Sequence, residues 1–76
     1  MSPSLPSVKP RQVVRVAKKL GFAFDRQRGS HAVYIRESDS RRVVIPMHKG
    51  KDIRVGLLRS LISDMGITTE EFLERL

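Results

Sequence analysis

The sequence lacks cysteine and tryptophan, and its aromatic residues are three Phe and one Tyr among 76 residues. Without cysteine there are no disulfides, no thiolate nucleophiles and no Cys-based zinc sites. The longest apolar run, residues 43–47, is far too short to span a bilayer. The first six residues have no basic flank or apolar stretch, so we expect no signal peptide and a cytoplasmic protein. The length permits one small domain with a thin margin of stability.

Positive charge is abundant and unevenly distributed. Fifteen Lys and Arg against eight Asp and Glu give a net charge of +7. Residues 1–59 carry fourteen basic and four acidic side chains, a net charge of +10, whereas residues 60–76 carry one and four, a net charge of −3. Such polarity predicts one side that faces a polyanion and another side with a different role. Nucleic acid is the leading partner class, an anionic membrane surface comes second, and a generic solvated basic surface is the alternative.

The apolar pattern predicts an α+β domain with the element order α-β-β-β-α-α. A helix begins at Pro10 and ends at Gly21, three short strands are joined by turns at residues 29–30 and 38–40, and two helices follow. A three-stranded antiparallel sheet with the helices on one face is the simplest packing of these elements. We assign residues 1–8 to a flexible N-terminal tail and residues 9–76 to a single domain.

Several local signals can be checked directly against a structure. Asp52 is predicted to cap the second helix, and Thr68 with Glu71 has the spacing of a capping box for the third. The three Phe residues are expected in the core, whereas Tyr34 fits the core and the surface equally well. Strand two is apolar on both faces, but one layer of helices covers only one face of a sheet. The other face is therefore left for another chain. We expect Val33 and Ile35 to share the face of His31; packing of both under the helices, with Tyr34 and Arg36 in solvent, is the alternative.

The two histidines, His31 and His48, are the best candidates for proton-transfer chemistry. His31 opens strand two after the Gly29-Ser30 turn, with arginines nearby in the sequence at positions 26, 28 and 36, and His48 lies in a basic loop. An imidazole exchanges a proton near neutral pH, and the natural proton to remove on a phosphate-binding surface is that of a ribose 2′-hydroxyl. His31 is therefore the candidate catalytic group, with His48 and Ser30 as candidate auxiliaries, although a histidine at a strand start is, taken alone, more often structural. Candidate phosphate contacts are Arg26, Arg28, Lys49 and Lys51.

Other chemistries find little support in the sequence. No Walker loop or His-Glu-x-x-His motif is present, and the acidic residues of the first 59 positions are scattered along turns and strand ends, so we expect neither a metal site nor a cofactor. Ser30 beside His31 is a weak nucleophile–base candidate because no acidic residue is placed to orient the imidazole. The few aromatic residues predict that RNA would be held by its backbone and shape.

Short motifs along most of the chain resemble the HicA toxin family of bacterial toxin–antitoxin pairs. The resemblance runs from about Lys9 to Leu73, and its pieces occur in the family's order. They are Leu20-Gly21-Phe22, Gly29-Ser30-His31 with Tyr34, Pro46-Met47-His48, Gly56 with Leu58, Leu61 and Ile62, Gly66-Ile67, and Glu70-Glu71-Phe72. The segment around Gly56 departs from the family pattern, because the Pro and Thr often found there are missing.

The resemblance implies a fold like that of double-stranded-RNA-binding domains and metal-independent cleavage of mRNA. It places the family's catalytic histidine at His31, and it implies a HicB-like antitoxin that covers the face bearing His31. The principal alternative is a non-catalytic double-stranded-RNA-binding module of the same architecture, and an inactive protein-binding adaptor is a third possibility.

Overall fold

The computed structural model describes residues 4–76 and confirms the predicted α+β architecture. The elements are α1 (Pro10–Lys19), β1 (Ala23–Arg28), β2 (His31–Arg36), β3 (Arg41–Pro46), α2 (Val55–Met65) and α3 (Thr69–Arg75). The strands form one antiparallel sheet in the order β1-β2-β3. None of the helices within residues 4–76 is long and apolar enough to cross a membrane.

Strand alternation divides the sheet into a core face and an open face. Ala32 and Tyr34 on β2, with Val43 and Ile45 on β3, belong to the hydrophobic core that the helices complete. The core positions of the helices are Val13, Val16 and Ala17 of α1, Leu58, Leu61, Ile62 and Met65 of α2, and Phe72 of α3. Because successive strand residues point to opposite faces, His31 and Val33 lie on the open face. The arrangement with Tyr34 in solvent is therefore wrong.

The helix ends follow local signals, with one exception. Gly66 ends α2 in the left-handed conformation, and the Thr68–Glu71 capping box opens α3 with hydrogen bonds of 2.9 and 3.1 Å. The prediction that Asp52 caps α2 is wrong, since the N-cap is Arg54 and Asp52 forms an ion pair with Lys9. The reason is a long-range contact: the N–H of Ile53 donates to the carbonyl of Val8 at 2.7 Å, which keeps the chain extended at Ile53.

The segment before α1 contributes to the packed domain. Leu5 and Val8 are buried in the hydrophobic core, although both fall in the stretch assigned to a flexible tail. Residues 1–3 of that stretch lie outside the described residues. The part of the chain that packs therefore begins before Lys9.

Phe24 corrects the expectation that every Phe is in the core. Phe22 and Phe72 are buried, but Phe24 is 54% exposed. It lies on β1, an edge strand whose six residues are all exposed. Its ring makes an edge-on contact with Tyr34, with the ring centres 5.7 Å apart. Phe24 thus packs on the rim of the core and is not enclosed by it.

Arg36 belongs to the scaffold and does not flank His31. Its guanidinium donates to the carbonyl of Leu20 at 2.9 Å and to that of Met65 at 3.1 Å, at the ends of α1 and α2. It also binds Asp39 through two hydrogen bonds and lies over the ring of Phe22. Five positions separate it from His31 on the same strand, so the two side chains point to opposite faces.

Candidate active site

His31 is exposed at the start of β2, and the turn before it determines where its side chain points. The turn has two residues, with Gly29 first at a φ of +59°. The φ of Ser30 is not positive. A positive φ at the first position alone, with glycine there, is typical of a type II′ turn. Arg28 therefore pairs directly with His31 across the hairpin.

His48 comes close to His31 because the pairing of β2 with β3 continues into the loop. His31 lies opposite Pro46 in the register, and the N–H of Met47 donates to the carbonyl of Ser30 at 2.6 Å. The next residue, His48, then has its ring centre 6.3 Å from that of His31, with the ring planes at 76°. The structure thus brings together two candidates that are seventeen residues apart in the sequence.

A cleft of about 450 Å³ lies between the end of β3 and the start of α2. Both histidines line it, and Lys51 and Arg54 add positive charge. Its apolar part includes Val44, Pro46 and Leu57. Leu57 is 44% exposed, whereas Val33 is only 3% exposed. The exposed apolar surface beside His31 therefore comes chiefly from the cleft and not from Val33.

His31 also borders a shallow depression on the open face of the sheet. Arg26, Arg28 and Arg42 line it together with His31, above Val33 and Val44. We call these three arginines and His31 the basic sheet face. Arg26 forms an ion pair of 2.6 Å with Asp25, in which both side chains are well exposed to water. Such a surface pair is weak and leaves Arg26 able to bind an anion.

Lys49, unlike Lys51, does not line the cleft. It lines a groove beside the start of α1, together with Lys9, Arg11 and His48, and we call this groove the α1 groove. Lys51 lines both this groove and the cleft. The candidate phosphate contacts thus divide into the basic sheet face, the cleft and the α1 groove, with His31 or His48 at each of the three.

Ser30 contributes through its backbone. Within residues 4–76 its hydroxyl makes no hydrogen bond to His31, whereas its carbonyl holds the N–H of Met47. The same part of the chain contains no group of three or more His, Asp and Glu side chains placed to hold a metal ion. The chemical groups positioned in this region are therefore imidazoles beside Lys and Arg, and Asp52 is the acidic residue that lines the cleft.

Arg36, Asp39 and Glu71, which belong to the scaffold, have shifted pKa values. A hydrogen bond from Arg36 lowers the pKa of Asp39, and the same pair raises the pKa of Arg36. The pKa of Glu71 is lowered chiefly because the backbone N–H of Thr68 donates to its carboxylate. These shifts describe the capping of helices and turns at a distance from the two histidines.

Sequence reasoning missed two cations at the site, Arg42 and Arg54. Arg42 lies opposite Ile35 and lines the basic sheet face. Because side chains alternate between the two faces of a strand, a buried Val43 could have predicted that Arg42 lies on the open face. Arg54 precedes α2 and lines the cleft. Its place depends on the Val8–Ile53 bridge, for which the sequence carries no comparable signal.

Comparison with known proteins identifies one family. Residues 10–67 match the family described as the HicA toxin of bacterial toxin–antitoxin systems. The match covers more than half of the chain and includes both histidines and the whole sheet. A comparison with curated proteins gave no match.

Proposed function

We propose that this chain, which belongs to the HicA toxin family of bacterial toxin–antitoxin systems, is a metal-independent endoribonuclease that cleaves mRNA. The observation that carries the proposal is the position of His31, an exposed imidazole at the junction of the basic sheet face and the cleft. Phosphate held on either side of this junction would lie beside a group able to transfer a proton.

The chemistry follows from the groups at hand. His31, in its neutral form, takes the proton of a ribose 2′-hydroxyl, and the oxygen attacks the adjacent phosphorus. The bond from phosphorus to the 5′-oxygen of the next nucleotide breaks, and that oxygen takes up a proton, so that the products are a 2′,3′-cyclic phosphate and a 5′-hydroxyl. Charge that develops on the phosphate oxygens is stabilised by guanidinium and ammonium groups. None of these steps calls on a metal ion or an organic cofactor.

Three surfaces could hold the RNA backbone. Arg26 and Arg28 act from the basic sheet face, where Arg42 joins them. Lys51 acts from the cleft, where Arg54 joins it, and Lys49 acts from the α1 groove. Guanidinium groups suit phosphate because their planar set of donors can bind two oxygens at once. Contacts of this kind position a strand without reading its bases.

The partner that inhibits the toxin is, in this proposal, a cognate HicB-like antitoxin on the face bearing His31. The exposed apolar surface of Leu57 and the half-buried Val44 and Pro46 lie next to the two histidines. An acidic partner would be attracted to the surrounding cations and would compete with RNA for them. Toxin, antitoxin and mRNA would then meet in the cytoplasm.

A non-catalytic double-stranded-RNA-binding module of the same architecture is the principal alternative. The ends of the RNA products separate the two functions. The isolated protein, incubated with RNA, is expected to leave cyclic phosphate or 3′-phosphate ends together with 5′-hydroxyl ends. RNA that is bound but remains intact would support the binding module. Products with 3′-hydroxyl ends would indicate a different nuclease mechanism.

A further inference from the structure

The two histidines share one cleft but do not bind each other. Their ring centres are 6.3 Å apart, and no hydrogen bond joins the two imidazoles within residues 4–76. Both side chains are exposed, so each has ring nitrogens available to a bound molecule. A pair of imidazoles in this arrangement can contact two different atoms of one substrate, each within the hydrogen-bond reach of about 2.6–3.2 Å that proton transfer needs.

The proposed cleavage needs two proton transfers at two different oxygens. The 2′-oxygen loses a proton as it attacks, and the 5′-oxygen gains one as it leaves. The 5′-oxygen departs on the side of phosphorus opposite to the attacking oxygen, so a single imidazole beside the 2′-hydroxyl is poorly placed to protonate it. A second proton-transfer group on the other side of the phosphate would complete the site.

We propose that His48 is this second catalytic residue, the general acid that protonates the 5′-oxygen, while His31 is the base. This inference rests on the proposed function. In the reaction, neutral His31 accepts the 2′-hydroxyl proton, the new bond from the 2′-oxygen to phosphorus forms, and the bond to the 5′-oxygen breaks. Protonated His48 gives its proton to the departing oxygen. Both histidines regain their starting forms by exchanging protons with water.

The other groups of the cleft are poorly suited to the role of the acid. The guanidinium of Arg54 does not give up a proton in proteins, and an ammonium such as that of Lys51 acts chiefly as a positive charge at neutral pH. Asp52 is paired with Lys9. Tyr34 does not line the cleft and is buried on the core face of the sheet. Besides His31, His48 is thus the cleft residue that carries an imidazole, the side chain best suited to proton transfer.

The backbone supports a paired role for the histidines. The hydrogen bond from Met47 to Ser30 joins the residues that directly precede His48 and His31. This bond continues the β2–β3 ladder by one step, so the spacing of the two imidazoles follows from the sheet register. A loop residue held in this way is positioned better than one on a freely moving loop.

A change of leaving group tests the assignment. The substrate is an RNA oligonucleotide with one cleavable linkage, prepared with either oxygen or sulfur at the 5′-bridging position. A thiolate departs without a proton because a thiol is far more acidic than an alcohol. Wild type, His31→Ala, His48→Ala and His48→Gln are compared on both substrates, with Lys18→Ala as a control on the exposed face of α1. Circular dichroism establishes that each variant is folded.

We expect His48→Ala and His48→Gln to slow cleavage of the oxygen substrate by about 10²- to 10⁴-fold. On the sulfur substrate, most of the loss caused by the His48 variants should disappear. His31→Ala should remain slow on this substrate, because no base is then present to take the proton of the RNA 2′-hydroxyl. An equal loss on both substrates in folded His48 variants would overturn the assignment, since it would mean that His48 only binds RNA. Full activity of these variants on the oxygen substrate would also overturn it, while the proposed function would stand. Absence of cleavage by wild type would refute the proposed function itself.

Discussion

The backbone N–H of Met47 donates a hydrogen bond of 2.6 Å to the carbonyl oxygen of Ser30. The bond ties the residue before His48 to the residue before His31, so main-chain pairing sets the distance between the two imidazoles. Substitution of the surrounding cations should therefore change the charge of the site while the histidines keep their places.

Arg36 and Arg42 lie on neighbouring strands but are expected to have different roles. Arg36→Ala removes the donors that bind the carbonyls of Leu20 and Met65, and we expect it to lower the free energy of unfolding by about 1.5–3 kcal/mol. Arg42→Ala should leave the unfolding free energy nearly unchanged and weaken RNA binding. Urea unfolding and RNA titration of both variants measure the difference. Loss of stability in Arg42→Ala with none in Arg36→Ala would reverse our assignment of the two residues.

The salt dependence of RNA binding should reveal the phosphate contacts of the loop after β3. Each contact with single-stranded RNA contributes about 0.7 to the slope of log affinity against log salt. The double variant Lys49→Ala/Lys51→Ala should therefore bind with a shallower slope. Binding is measured in a His31→Ala background, so that cleavage does not consume the RNA.

The matched control for this measurement removes two exposed cations outside the three candidate surfaces, Lys18→Ala/Arg59→Ala. It has the same net charge as the loop double variant. If both double variants reduce the slope equally, overall charge explains the binding and the loop has no special part in it.

Acid should destabilise the fold partly through the capping box of α3. The pKa of Glu71 is lowered in the folded protein, mainly by the hydrogen bond from the Thr68 backbone. The unfolded chain therefore binds more protons than the folded one in the acid range, and stability falls as the pH drops through that range. Glu71→Gln should be less stable than wild type at neutral pH, and the difference should shrink as the pH falls below the ordinary carboxyl pKa of about 4.

Thermal unfolding between pH 3 and pH 7 measures this convergence, and Glu74→Gln is the control because Glu74 lies outside the capping box. A constant difference between Glu71→Gln and wild type across this range would show that the charge of Glu71 does not contribute to the cap.

The antitoxin should protect the region around both histidines from hydrogen exchange. In a complex with its cognate antitoxin, we expect slower amide exchange at the start of β2 and in the loop of residues 47–52 than in the free toxin. The acidic segment of residues 60–76 provides the internal comparison. Protection confined to that segment, with His31 left open to solvent, would contradict inhibition by covering the active site.

Local signals in the sequence were sufficient for most of the fold. Pro10 at the first turn of α1, Gly66 at the end of α2 and the Thr68–Glu71 box each act within a few residues, and all three are present in the structure. The predicted cap at Asp52 is wrong because a distant residue, Val8, pairs with Ile53. Periodicity alone carries no information about such a bridge.

The candidate site likewise combines features that local sequence predicts with features that depend on contacts between distant residues. The motif Gly29-Ser30-His31 pointed to His31 because a turn and a strand start can be recognised locally. The approach of His48 to His31 depends on the register between β2 and β3, which no short motif specifies. Phe24 was misassigned for a related reason: its apolar side chain suggested burial, but the helices leave β1 uncovered.

The most direct test of the central claim is RNA cleavage by the isolated protein in EDTA, measured for wild type and for His31→Ala. We predict that wild type cleaves RNA in the presence of the chelator and that folded His31→Ala is slower by about 10²- to 10⁴-fold, the usual loss when a proton-transfer group is removed. Cleavage that stops on chelation, or a folded His31→Ala variant as active as wild type, would contradict a metal-independent endoribonuclease built on His31.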